Sequence, residues 1–236
     1  MCVKNIWPGI TNWKMKAVQP FKPIVVDLLI GRKQGCKLFY ELLLKNVNVT
    51  HNTSTKWQIE LNTVMTKHDW ENICMLPMRI TKDTKLQWFQ FRLLNHILGT
   101  NMLLCKMKLK NNDLCSFCNL VKEDVLHLFF NCDTVGLFLN ELQLCIKNKM
   151  SFPLCKIKIT LKMLMLGTKD DDAFNVILLL TKFHIYKTKL RNVKPNLQYF
   201  LHELESYINS EMYIARSNQR LDIFKKKWEE WKKLCK

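Results

Sequence analysis

Cys115, Cys118, His127 and Cys132 are the residues of this chain whose types and spacing most directly specify chemistry. The run reads Cys-x2-Cys-x8-His-x4-Cys, three thiols and one imidazole within eighteen residues. Four soft or borderline donors this close together suit a tetrahedral Zn²⁺. The paired cysteines close a tight turn that points both sulfurs at one metal, and the later His and Cys complete the shell. With every position filled by protein, no site remains for water, so such a metal is structural rather than hydrolytic. The competing reading is a chance cluster, because the chain holds ten cysteines among 236 residues.

The elements that must carry these ligands are helical by pattern. Asp83 or Thr84 is a credible N-cap for a helix over Lys85 to Leu98, with Gly99 as its stop. Leu86, Phe89, Leu93 and Ile97 form one stripe, Phe91, Leu94 and Leu98 lie beside it, and Lys85, Arg92 and His96 make the polar edge. An arc this wide predicts a helix buried over most of its circumference. Asn101 to Lys110 fits either an extended segment or a short helix. Glu123 and Asp124 then begin a helix that runs through His127 to about Ile146, their charges complementing its dipole. At about 3.6 residues per turn, His127 and Cys132 lie about 500° apart and share no face of an ideal helix. Either the helix is locally distorted or one ligand sits at its start; the second is expected.

The remainder follows the same pattern. Gly35 to Leu44 sets Leu38, Phe39, Leu42 and Leu43 on one helical face. A helical pair is expected from Lys56 to Cys74, through Trp57, Leu61, Val64, Trp70 and Ile73, ended by Pro77. Lys147 to Lys162 is basic and interrupted by Pro153. Asp170, Asp171 and Asp172 open an apolar helix from Ala173 to about Arg191. A triple Asp invites a catalytic reading, but capping and the dipole explain it better. From Pro195 a long amphipathic helix is expected through Leu197, Phe200, Leu204, Ile208, Phe224, Trp228 and Trp231, with a kink between Arg216 and Arg220. The expected fold is mainly α, a helical bundle-like assembly with a small zinc-knuckle module in the middle and a long C-terminal amphipathic helix. Its regions are a helical linker-like stretch (1–82), a zinc-binding region with flanking helices (83–150) and a C-terminal helical tail (151–236).

Nearly half the residues are apolar, enough for a real core, and the formal charge of +17 points to a polyanionic partner, nucleic acid or an acidic membrane surface. Met1 to Pro8 lacks a signal-peptide pattern, and runs such as Val176 to Leu180 are too short to span a bilayer. The expectation is an intracellular protein of nucleus or cytoplasm, not secreted, whose other seven cysteines are free and mostly buried thiols.

The charge is unevenly placed. Residues 1–50 carry eight positive and two negative side chains, residues 141–195 eleven and four, but residues 101–140 four and four. The knuckle is balanced and its flanks are basic, so it reads as a staple that holds basic neighbours in register. Candidate nucleic-acid contacts are Arg92, His96, Lys106, Lys108, Lys110, Lys147 and Lys149. Phe117, between the thiols, either stacks on an unpaired base or plugs the space under the metal.

Taken in order, Leu86-Gln-Trp-Phe-Gln-Phe-Arg-Leu-Leu-Asn-His-Ile-Leu-Gly-Thr-Asn101, Lys106-Met-Lys108, Cys115-x2-Cys118 and His127-Leu-Phe-Phe-x-Cys132 resemble one family. They look like the C-terminal zinc-binding region of reverse transcriptases from LINE-type (non-LTR) retrotransposons. Gly35 to Tyr40 and Lys56-Trp57 resemble the linker before that region, and Ile177 to Lys187 and Phe224 to Trp228 the tail after it, so nearly the whole chain is covered. The resemblance implies a part of a retrotransposon polyprotein that binds RNA and/or DNA beside an upstream reverse transcriptase domain, with Cys115, Cys118, His127 and Cys132 as the ligands of Zn²⁺. Asn95-His96 stands where the family often has His and Arg, a departure that alters any nucleic-acid contact along that edge.

The Phe/Tyr-Ala-Asp-Asp hairpin of reverse transcriptases does not occur in the sequence, and Asp170 to Asp172 lacks the aromatic-Ala pair before it. The chain is therefore expected to be no enzyme on its own, with no small-molecule substrate and no membrane partner. The alternative is a zinc-stapled helical protein-interaction module that docks on a polymerase without touching nucleic acid. A zinc hydrolase is disfavoured by the full shell and by the lack of a His-Glu pair at zincin spacing.

Overall fold

A computed structural model describes residues 52–151, 154–169 and 171–235, and residues 51–236 form one compact unit. The helix expected over 35–44, together with Pro153 and Asp170, lies outside the described residues. Among the described residues nine α-helices run in order: α1 Asn52–Glu60, α2 Lys67–Ile80, α3 Thr84–Leu94, α4 Asn101–Lys106, α5 Asp133–Lys149, α6 Leu161–Leu166, α7 Asp172–Leu190, α8 Leu197–Ser217 and α9 Leu221–Trp228. A π-helical turn spans His127–Asn131, and 3₁₀ turns span Leu154–Lys156 and Trp231–Cys235. Among the described residues the only β pairing is an isolated antiparallel bridge between Leu114 and Lys122. The mainly α expectation holds.

The assembly is built around α7. Ala173 to Leu179 are all buried, as are Thr181, Lys182, His184, Ile185, Tyr186, Thr188 and Lys189. A helix apolar around its whole circumference must be covered on every side, and α2, α3, α6, α8, α9 and the π turn pack against it. Asp171 caps it, its carboxylate accepting from Phe174 N–H at 2.8 Å, and also accepts from Trp231 Nε1 at 3.0 Å. Asp172 pairs with Arg79 at 3.0 Å. The aspartates serve as caps and ties.

The structure departs from the pattern reading at several element ends. Pro77 does not stop α2; it lies inside the last turn and the helix continues to Ile80. Val64 lies in the loop between α1 and α2 and is exposed. Helix α3 starts at its Asp83 cap as expected but ends at Leu94, four residues early, because His96 takes a left-handed φ of 55°. Ile97 and Phe91, read as core, are exposed. Asn101–Lys106 is a short helix capped by Thr100. The C-terminal pattern breaks after Ser217, at the expected position, and α9 folds back on α8. Lys227 Nζ meets Glu211 at 3.0 Å, and Trp228 Nε1 donates to the same carboxylate at 2.6 Å.

Candidate metal centre

Residues 113–123 form a knuckle closed by backbone pairing. Cys115 N–H donates to Val121 O at 2.8 Å and Glu123 N–H to Asp113 O at 2.8 Å. Asn119, with φ 54°, makes the reversal between the strand-like arms. This turn carries the first two ligands. The other two bracket the π turn: His127 is its first residue and Cys132 directly follows it. Asp124 caps it, accepting from His127 N–H at 2.7 Å. Cys132 N–H then bonds back to His127 O at 2.9 Å, five residues earlier. A π turn closes i to i+5 and so sets residues five apart over one another, which an α-helix cannot do. Cys132 is also the N-cap residue of α5. Both routes considered from sequence are therefore in use: the helix is distorted at His127, and the last ligand sits at the start of the next one.

The donor atoms of Cys115, Cys118, His127 and Cys132 all lie within 4.8 Å of one another, close enough to hold a metal ion. Cys115 and Cys132 Sγ are 3.8 Å apart, and Cys118 Sγ lies 3.4 Å from His127 Nε2. The sulfur separation far exceeds the about 2.05 Å of a disulfide, and the three thiols are free. Burial pushes the Cys115 thiol up to about 12 against the Cys118 and Phe117 N–H groups aimed at it. Burial also acts to raise Cys118, but the Leu120 and Val121 N–H groups and then His127 outweigh it, bringing that thiol down to about 6. N–H groups directed at sulfur favour thiolate, the form that binds metal.

Behind the knuckle stands a buried ion pair that sequence reasoning missed. Glu123 and Lys189 are 0% and 4% exposed and 3.0 Å apart. Glu123 accepts from Ser116 N–H, between the two thiols, at 2.8 Å and from Asn101 N–H, at the start of α4, at 2.8 Å. Lys189 also donates to Gly99 O. Asn101 donates to Leu114 O at 2.6 Å and Ser116 Oγ at 3.0 Å. Glu123 thus ties the knuckle, α4 and the end of α7 together, rather than opening a helix. Its only sequence signal was a carboxylate between two candidate ligands.

The predicted nucleic-acid contacts fall in several places. Arg92 lies on α3, partly buried, its Nε without a partner. His96 turns its ring against Trp57, centroids 4.7 Å apart, and burial, aided by Lys56, holds it down to about 4, so it is neutral at pH 7. His96 and Lys106 line one cavity of about 220 Å³ with Lys56, Glu60 and Asp124. Lys106 and Lys108 are exposed; Lys110 reaches back to Asn101 Oδ1 at 2.9 Å. Phe117 is partly buried and packs on the core. Lys147 and Lys149 lie in the last turn of α5. At about 1.5 Å per residue that helix carries them about 25 Å from Cys132, so the two groups of lysines are not brought together. Lys149 also donates to Leu234 O at 3.1 Å. Among the described thiols outside the cluster, Cys74 is exposed and Cys105, Cys145 and Cys235 are partly so, not buried as expected.

Comparison with protein-family profiles and with curated proteins finds no match to this chain. No helix among the described residues is long and apolar enough to cross a membrane.

Proposed function

We propose that this chain is a zinc-stapled, nucleic-acid-binding module of the kind found in the C-terminal part of LINE-type reverse transcriptases, without polymerase activity of its own. The observation that carries the reading is the Cys115, Cys118, His127 and Cys132 tetrad, set in a charge-balanced knuckle between basic flanks. Its separations of 3.8 and 3.4 Å are close to the edges of a Zn²⁺ tetrahedron. Zn–S bonds of about 2.3 Å and Zn–N bonds of about 2.0–2.1 Å give S···S edges of about 3.8 Å and S···N edges of about 3.6 Å. Three thiolates and one imidazole fill the shell, so bound zinc supplies structure and no reactive water. The ordered motifs from Leu86 to Cys132 and the charge of +17 support RNA or DNA as the partner.

The test is binding of the purified, metal-loaded chain to structured RNA and to duplex DNA across a salt titration. Each phosphate contact contributes a log–log slope of about −0.9 on duplex DNA and about −0.7 on single strands. A steep slope on either nucleic acid is expected. Affinity indifferent to salt would sink the electrostatic reading. A chain that ignores nucleic acid and self-associates through α8 and α9 would instead favour the protein-interaction module.

A further inference from the structure

We propose that the outer face of α3 is a stacking platform for unpaired bases of a single strand, with Trp88 and Phe91 as its rings and Lys85 and Arg92 as its phosphate contacts. The proposal rests on the nucleic-acid reading above and names the part of the molecule that would distinguish a single strand from a duplex.

Helix α3 does not need these two rings to fold. Leu86, Phe89, Leu93 and Leu94 already bury its inner face, and Phe89 meets Phe129, Phe183 and Tyr186 there. Trp88 and Phe91 point the other way. Trp88 is 60% exposed and Phe91 46%, whereas Trp57, Trp70, Trp228 and Trp231 are all at most 4% exposed. The two rings lie nearly parallel, 11° between planes and 5.1 Å between centroids. They form a short stack on the surface, with apolar area left in water.

The charges around the stack select its partner. Residues three and four apart share a helix face, so Lys85 lies one turn before Trp88 and Arg92 one turn after it. No acidic residue occurs within α3. The one at its start, Asp83, is engaged in capping, accepting from Lys85 N–H at 2.8 Å. Arg92 Nε is buried without a hydrogen-bond partner. A protein docking here would have to bury two cations with the rings. A single strand delivers a phosphate with every base, and its bases offer open π-faces that a duplex keeps covered.

The experiment uses the full metal-loaded chain, a labelled oligo-uridine single strand and a DNA duplex of equal length, with affinity read by fluorescence anisotropy. Trp88→Ala is expected to weaken single-strand binding about tenfold or more and leave duplex binding unchanged. Trp88→Phe keeps a ring and should recover most of the loss. Unchanged metal content and circular dichroism confirm that the variants fold. Single-strand affinity that survives Trp88→Ala, or an equal loss on both nucleic acids, overturns the platform while leaving the proposed function intact. A change in oligomeric state with no change in single-strand affinity also overturns it and assigns the face to protein contact. If the parent chain binds neither nucleic acid, the proposed function fails and the platform with it.

Discussion

Between Asp113 and Glu123 the chain buries one thiol and one carboxylate, and the residues from there to Cys132 add an imidazole, a second thiol and Val125, Leu128 and Phe129; from Ala173 to Leu179 it buries six apolar residues and one Asn. The bundle around α7 is therefore ordered by apolar burial, which is non-directional and spread over many side chains. The knuckle has little of that. Its backbone pairing is short, and its shape depends on four donor atoms meeting at one point and on Glu123. The contrast predicts that the two regions respond differently to the same insult, and the largest insult is loss of the proposed zinc.

Cys118→Ser, or chelation of the parent chain, removes an interaction worth about 10–16 kcal/mol in small zinc modules. Residues 112–135 are expected to lose amide-exchange protection while α7 and α8 keep theirs. Hydrogen exchange read by mass spectrometry, alongside metal analysis, checks this. Retained metal and unchanged protection in Cys118→Ser would remove the tetrad from the argument. Collapse of α7 as well would show that the bundle cannot stand without the knuckle.

Two lysines of α7 refine the comparison. Lys189 reaches the knuckle and meets the Glu123 carboxylate. Lys182, two turns earlier, meets only Gln90 Oε1 at 2.6 Å and Met165 O at 3.2 Å. Deleting one member of a buried pair leaves the other charge unpaired, at a cost of about 3–5 kcal/mol. Lys189→Met and Glu123→Ala should each lose about that much in urea unfolding, and the double variant less than the sum. Full additivity would mean that the pair does not hold the knuckle to the bundle.

Lys182 lacks a carboxylate, and complete burial holds it down to about 7 from an ordinary value of 10.5. Above 10.5 both folded and unfolded chains are neutral at this site, and below about 7 both are charged. Between those values only the unfolded chain holds the proton, so stability rises with pH, by up to about 1.4 kcal/mol per unit. Lys182→Met should flatten the rise, measured as the urea midpoint from pH 7 to 10. A slope that survives the substitution belongs to other groups.

Helix starts and the Cys/His cluster were legible because each is written in a few adjacent residues. Asp83, Asp171 and the Cys-x2-Cys turn act through side-chain oxygens or sulfurs at fixed short spacing. Glu123 was not legible, since its cation comes from the far end of α7 and nothing local marks the pair. Nor was Trp88. Periodicity gave α3 a broad apolar arc, and only the position of α7 decides which part of that arc faces inward.

Helix ends were the least legible, and the reason is chemical. Asn62, His96, Lys108, Asn192 and Gln219 all take φ between 45° and 57° just after helices α1, α3, α4, α7 and α8. In each, the N–H of that residue and of the next bond back to the last turn, as Gln219 to Arg216 O at 3.1 Å and Arg220 to Ala215 O at 2.8 Å. This double closure ends helices on a left-handed residue, most often Gly. The chain has six Gly and uses none at these five positions. A side chain there costs about 1–2 kcal/mol relative to Gly, which in turn loses more entropy on folding. Gln219→Gly, at an exposed site, should therefore gain about 1 kcal/mol, a rise of about 2–4 °C in Tm for a chain this long. His96→Gly relieves the same backbone but removes the ring packed 4.7 Å from Trp57, and a drop in Tm is expected. Equal gains at both sites would show that the His96 ring contributes nothing to the junction between α1 and α3.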